Sequence, residues 1–158
     1  MIYLNIWMFY LLMMKTSRSQ TKEKVLFLCN QNSARSQMAE GLLKSLYSEN
    51  FEVYSAGSNP STVNPYAVKV LEEVGIDISG NRSKGLKEFG GFEFDYVVTV
   101  CGGEGEVCPF FPGGKNYLHE SFQDPAAVEG TDQEKTGAFR KNRDEINEWI
   151  KETFYRGE

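Results

Sequence analysis

Val25-Leu26-Phe27-Leu28-Cys29-Asn30-Gln31-Asn32-Ser33-Ala34-Arg35-Ser36 joins an unbroken apolar run to a cysteine and, after five intervening residues, an arginine and a serine. The run reads as a buried strand, and the residues after the arginine read as a helix. A loop bent between a strand end and a helix N-terminus turns successive backbone N–H groups into one concavity, which suits a tetrahedral oxyanion. Asn30, Gln31, Asn32, Ser33, Ala34, Arg35 and Ser36 form that oxyanion-binding loop on this reading. Cys29 at its entrance faces the anion's central atom, and Arg35 at its exit can grip two of its oxygens. A helix N-terminus and a nearby arginine both favour a thiolate, the nucleophilic form of cysteine. Taken alone, Cys-x5-Arg reads better as a buried thiol before an ordinary turn. The strand before it, Ser36 after it and the helix behind tip the balance toward the anion loop.

The rest of the composition narrows the chemistry. The chain has 158 residues, enough for one domain with a real core. Its net charge of −5 comes without a basic cluster, which argues against nucleic acid as a partner. The acidity also means that attraction for an oxyanion must be supplied locally by the loop. Three cysteines at wide spacing do not make a secreted disulfide framework, and a reducing cytoplasm is the consistent compartment. With no C-x-x-C and a single histidine, His119, no metal site is expected, and no cofactor. Met1–Met14 is apolar but short for a bilayer span, and no small-residue cleavage site follows it. Residues 1–20 are therefore read as an extension outside the fold, disordered or a mis-assigned start, with a membrane-associated tail as the lesser reading. Residues 21–158 are read as the domain, with no membrane partner.

Along that domain, Ala39, Leu42, Leu43, Leu46 and Tyr47 recur at helical spacing and predict a helix from about Ala34 to Glu49. Phe51–Ser55 reads as a second strand ending at Ala56-Gly57. Asn64-Pro65 opens a helix, with Asn as cap and Pro in the first position. Val68, Leu71 and Val74 are its expected apolar face, and Gly75 its end. Leu86–Phe89 reads as a single helical turn, Asp95–Cys101 as a strand buried on both faces, and Tyr117-Leu118 as a short last strand. Thr131 with Glu134 makes a capping box for a closing helix whose inner side is Phe139, Ile146, Trp149, Ile150 and Phe154. Strands alternating with helices give an α/β fold: one domain, a parallel sheet and helices on both faces. Ligands of such sheets sit beyond the carboxyl ends of the strands, so Cys29 and Cys101 are expected on the same rim.

Cys101 and Cys108 flank Gly102-Gly103-Glu104-Gly105-Glu106-Val107, where three glycines leave little conformational restraint. By themselves these are best read as two structural thiols. With Cys29 on the same rim, a relay is favoured, in which Cys101 resolves a species on Cys29 and Cys108 then resolves the resulting disulfide. Asp124-Pro125 is either a turn or a carboxyl placed as general acid beside the anion. His119 is read as a loop or packing residue.

Several of these motifs occur together in a known family. Cys29-x5-Arg35-Ser36, Gln37-Met38-Ala39-Glu40-Gly41, Tyr54-Ser55-Ala56-Gly57, Asp95-x-Val97-Val98-Thr99 and Asp124-Pro125 resemble the low-molecular-weight protein tyrosine phosphatase fold, over about residues 24 to 155. Cys101-x6-Cys108 after the third strand is similar to the thioredoxin-coupled arsenate reductases built on that fold. The resemblance implies a four-stranded sheet, Cys29 as nucleophile, Arg35 as oxyanion clamp and Asp124 as the acid protonating the departing oxygen. It implies Asn32 and Ser36 as supports of the loop and thiolate, Cys101 and Cys108 as the relay, arsenate as substrate and thioredoxin as reductant. Ala34 departs from the many relatives with a further cysteine there, without touching the main chemistry. Phosphatases of this fold place tyrosines after Asp-Pro, where this chain has Ala126-Ala127. A phosphoester-hydrolysing enzyme working through a phosphocysteine is thus the alternative rather than the first expectation.

Overall fold

The computed structural model describes residues 21–157. Four strands, β1 (Glu23–Cys29), β2 (Phe51–Gly57), β3 (Phe94–Thr99) and β4 (Gly114–His119), pair in parallel in the order β2-β1-β3-β4. Helix α1 (Arg35–Tyr47) joins β1 to β2, and α2 (Pro65–Glu72) and a 3₁₀ turn (Leu86–Phe89) lie between β2 and β3. A second short 3₁₀ turn, Pro125–Ala127, precedes the long closing helix α3 (Asp132–Phe154). The expectations for residues 1–20 lie outside the described residues.

β1 is central because its apolar run has a partner strand on each side and cover on each face. Alternate residues go to opposite layers, as strand geometry requires. Val25 and Phe27 join Met38, Leu42 and Leu43 of α1, Val70 and Leu71 of α2, and Phe139, Ile146, Ile150 and Phe154 of α3. Leu26 and Leu28 join Phe89, Phe94, Val97 and Phe111. Both faces carry helical cover, but unequally: three α-helices on one, the 3₁₀ turn Leu86–Phe89 and an aromatic cluster on the other. There Phe94 meets Phe89 and Phe111 edge-on, with ring centroids 5.8 and 5.5 Å apart.

The helix ends follow their sequence signals. Asn64 Oδ1 accepts from Tyr66 N at 2.9 Å, Pro65 takes the first turn, and Gly75 with φ +81° follows the end of α2. Thr131 Oγ1 accepts from Glu134 N at 3.2 Å and opens α3. Two apolar assignments differ. Leu46 and Val74 are exposed, Leu46 because it falls on the solvent side of the last turn of α1 and Val74 because α2 ends at Glu72. β3 ends at Thr99, two residues short of Cys101, although Val100 N still donates to Leu28 O at 3.0 Å and keeps the chain beside β1.

Candidate functional site

Beyond Cys29 the chain turns through Asn30–Ala34 into α1. The carbonyls of this turn are tied outward. Asn30 O accepts from Asn59 N at 2.7 Å, Gln31 O from Ser61 N at 3.3 Å and Ser83 Oγ at 2.8 Å, and Ser33 O from Asn64 N at 2.9 Å. In a trans peptide the next residue's N–H points opposite to the carbonyl, so these ties aim the loop's donors inward. Asn32 adopts φ +49°, a left-handed conformation that asparagine tolerates better than most residues. Its N–H donates to Cys29 Sγ at 3.2 Å. Gly57, at the end of β2, backs the turn so closely that a Cβ there would lie 2.6 Å from Asn30 O and 2.7 Å from Asn32 N.

A buried polar chain leads to the sulfur. Asn32 Oδ1 accepts from Lys84 N at 2.9 Å and Gln37 Nε2 at 2.9 Å. Lys84 N can only donate, which fixes the amide orientation and makes Asn32 Nδ2 the donor to Ser36 Oγ at 2.8 Å. The Ser36 hydroxyl is then free to donate to Cys29 Sγ, 2.8 Å away. Two donors therefore converge on a buried sulfur. Behind this chain Glu40 is buried, with Oε2 accepting from Ser55 Oγ at 2.6 Å and Lys84 Nζ 3.9 Å away.

Arg35 is 5% exposed. Its Nη1 donates to Phe122 O at 3.0 Å and to Glu106 Oε2 at 2.8 Å, and its Nη2 to Glu106 Oε1 at 2.5 Å. Burial alone would lower its pKa, but the hydrogen bond to Glu106 and the charges of Asp124, Glu106 and Cys29 raise it overall. The same hydrogen bond, against a smaller opposing effect of burial and aided by Gly102 and Gly103 N–H, holds the Glu106 carboxyl down at about 2. Asp124 caps its own 3₁₀ turn, Oδ1 accepting from Ala126 N at 3.0 Å, and leaves Oδ2 4.0 Å from Arg35 Nη2.

These groups line one cavity of about 150 Å³, whose wall includes Cys29, Gln31, Ser33, Arg35, Asn64, Glu106 and Asp124. A wider opening of about 700 Å³ lies at the amino-terminal end of the sheet, beside Lys24, Asp95 and Lys115, and no cysteine lines it. The small pocket is where the chemistry can occur. Cys101 and Cys108 form a disulfide with Cα atoms 5.7 Å apart, and Cys29 is a free thiol. Neither partner of the disulfide is part of the pocket wall. Cys101 is buried in the same cluster as Cys29, with Cys108 packed against it, and Glu106 between the two cysteines does reach the pocket. Among the described residues, no group of three or more histidine, cysteine, aspartate or glutamate side chains could hold a metal ion.

The sequence reading thus has Cys29, the loop, Arg35 and Asp124 in one place, and His119 apart from it at the end of β4, where Nδ1 lies 2.7 Å from Thr99 Oγ1. It misses Glu106 and Gly57. Acidity beside an anion site gives no reason to single out Glu106, whereas Gly57, inside the Tyr54-Ser55-Ala56-Gly57 motif, was visible but without a role.

Comparison with known proteins bears on the whole domain. An arsenate reductase of Halalkalibacterium halodurans is 48% identical over 130 residues, covering 82% of this chain and 94% of that protein. A solved structure described as an arsenate reductase in the phosphate binding state superposes with a TM-score of 0.67 at 34% identity, over 82% of this chain and 95% of the other. A thioredoxin-dependent arsenate reductase of Corynebacterium glutamicum gives a TM-score of 0.58 at 32% identity, over 87% of this chain and 65% of the other. The model of the low molecular weight phosphotyrosine protein phosphatases matches residues 24–155, and with relatives this similar over so much of its length the chain belongs to that family.

Proposed function

We propose that this protein reduces arsenate to arsenite through a relay of three thiols, and that a dithiol protein of the thioredoxin type restores them in the cytoplasm. The observation that carries the reading is the Cys101–Cys108 disulfide, whose connecting segment reaches into the Cys29–Arg35 pocket. A phosphoester hydrolase needs Cys29, Arg35 and Asp124 and has no use for that cysteine pair. The named relatives, arsenate reductases, point the same way.

In the proposed sequence Arg35 and the loop N–H groups hold the oxyanion, and Cys29 thiolate attacks arsenic. Asp124 Oδ2 donates a proton to the oxygen that leaves as water, giving a Cys29 S–As(V) adduct. Cys101 thiolate then attacks Cys29 sulfur. The S–S bond forms as the S–As bond breaks, and its electron pair passes to arsenic, which departs as As(III). Cys108 thiolate attacks Cys101 sulfur next, so Cys29 leaves as thiolate and the Cys101–Cys108 disulfide remains. Cys108 is half-buried while Cys101 is fully buried, so an external thiolate reaches the Cys108 side more readily. Two electrons leave the thiols and two reach arsenic.

The test is mass spectrometry of disulfides trapped after adding arsenate without reductant. The parent should accumulate Cys101–Cys108, and Cys108→Ser should stop at Cys29–Cys101 after about one arsenite per protein. If neither bond forms while phosphoesters are rapidly hydrolysed, the phosphatase reading replaces this one.

A further inference from the structure

Glu106 makes more polar contacts with the pocket than any step above requires. Its Oε1 accepts from Arg35 Nη2 at 2.5 Å and Asn30 Nδ2 at 2.8 Å. Its Oε2 accepts from Arg35 Nη1 at 2.8 Å, Gly102 N at 3.0 Å and Gly103 N at 2.9 Å. Both terminal nitrogens of the guanidinium thus grip one carboxylate, with the fork-on-fork geometry that arginine offers to carboxylates and to tetrahedral oxyanions alike. The end-on edge of the guanidinium is thereby occupied, and a second negative group in a cavity of about 150 Å³ would be repelled by the carboxylate.

Glu106 belongs to the ring closed by Cys101 and Cys108. Within the ring Gly102 has φ +122° and Gly105 φ +73°, conformations that glycine adopts freely. With the disulfide formed, both ends of the segment are pinned and Glu106 acts on Arg35 at a high effective concentration. With the disulfide opened, the same segment is tethered only through the chain, and withdrawing the carboxylate costs less.

Resting on the reductase reading, we propose that Glu106 is an internal oxyanion surrogate: it occupies Arg35 when Cys101 and Cys108 are joined and yields the site when they are dithiols. The redox state of the pair then sets the pocket's affinity for oxyanions. An oxidised molecule, which has no thiols left to reduce a substrate, does not load one. As the disulfide closes, the carboxylate takes the place of the departing oxyanion on Arg35.

The experiment is calorimetric titration of inorganic phosphate into the full chain, either oxidised, with a single titratable thiol, or reduced with a small dithiol. Parent, Glu106→Gln and Glu104→Gln are each measured in both states. Oxidised parent should bind phosphate about tenfold or more weakly than reduced parent. Oxidised Glu106→Gln should approach the reduced parent, because a neutral amide competes poorly for arginine. Glu104→Gln removes the same charge from an exposed position and should keep the gap. Equal binding by the two parent forms overturns the proposal, as does a Glu106→Gln variant that stays weak when oxidised or a Glu104→Gln variant that closes the gap equally. A parent that keeps the gap but does not turn over arsenate supports this proposal and sinks the reductase reading.

Discussion

The loop Asn30–Ala34 and the segment Gly102–Val107 meet at the same guanidinium, yet they are held in opposite ways. The first is fastened along its length: its carbonyls are bonded to Asn59, Ser61, Ser83 and Asn64, its amide chain runs from Lys84 through Asn32 to Ser36, and Gly57 backs it. The second is fastened at few points, by the disulfide at its ends, by Ser121 Oγ on Gly102 O at 2.8 Å, and by Glu106. Binding an oxyanion demands donors already aimed, since each donor that must reorganise weakens the grip. Passing a disulfide from one sulfur to the next demands the reverse, a segment able to change partners. On the proposed reading, one domain meets both needs by building the first on the end of a buried strand and the second on glycines.

The contrast can be broken most sharply at Cys101. Cys101→Ser should abolish arsenate turnover while leaving slow hydrolysis of a phosphate ester in place, because the fixed cradle alone suffices for an ester. Parallel assays of arsenite release and ester hydrolysis read this directly. Retained arsenate turnover would remove the pliant segment from the chemistry.

A smaller effect is expected where the cradle is packed. Gly57→Ala places a methyl group against the Asn30 and Asn32 backbone, neither of which can move without disturbing the loop. A loss of about 1–3 kcal/mol in denaturant unfolding is expected, with weaker phosphate binding. The same change at Gly103, where the nearest atom is the end of the Glu106 side chain, should cost much less.

The smallest effect concerns pH. A carboxyl whose folded-state pKa lies below its ordinary value stabilises the fold when ionised. Glu106 is held at about 2 against an ordinary 4.5, so its contribution is complete above about 4.5 and fades as the pH falls toward 2. The oxidised parent should lose on the order of 1–2 kcal/mol across that window relative to Glu106→Gln. Equal acid sensitivity of the two proteins would mean that the Glu106–Arg35 pair contributes nothing to the fold.

Much of this architecture was written in local pattern. Val25–Leu28 is an unbroken apolar run because β1 is covered on both faces, and Asn64-Pro65 and Thr131 mark helix starts because capping is settled within a few residues. Misreadings fell where a helical repeat outlasts its helix, as at Val74, or turns to solvent, as at Leu46. Cys29, Arg35 and Ser36 were legible because one loop carries all three, and Asp124 because proline follows it and a family motif contains it.

The chain's order of residues by itself determined the strand–loop–helix cradle, the parallel α/β layout and the supply of three thiols, since each depends on neighbours within a few positions. Only the tertiary structure decided that Glu106, 71 residues from Arg35, would fill the guanidinium's fork, and that Gly57 would abut the loop. Such pairings depend on how distant strand ends converge at one edge of the sheet, and no local spacing encodes which carboxylate arrives there.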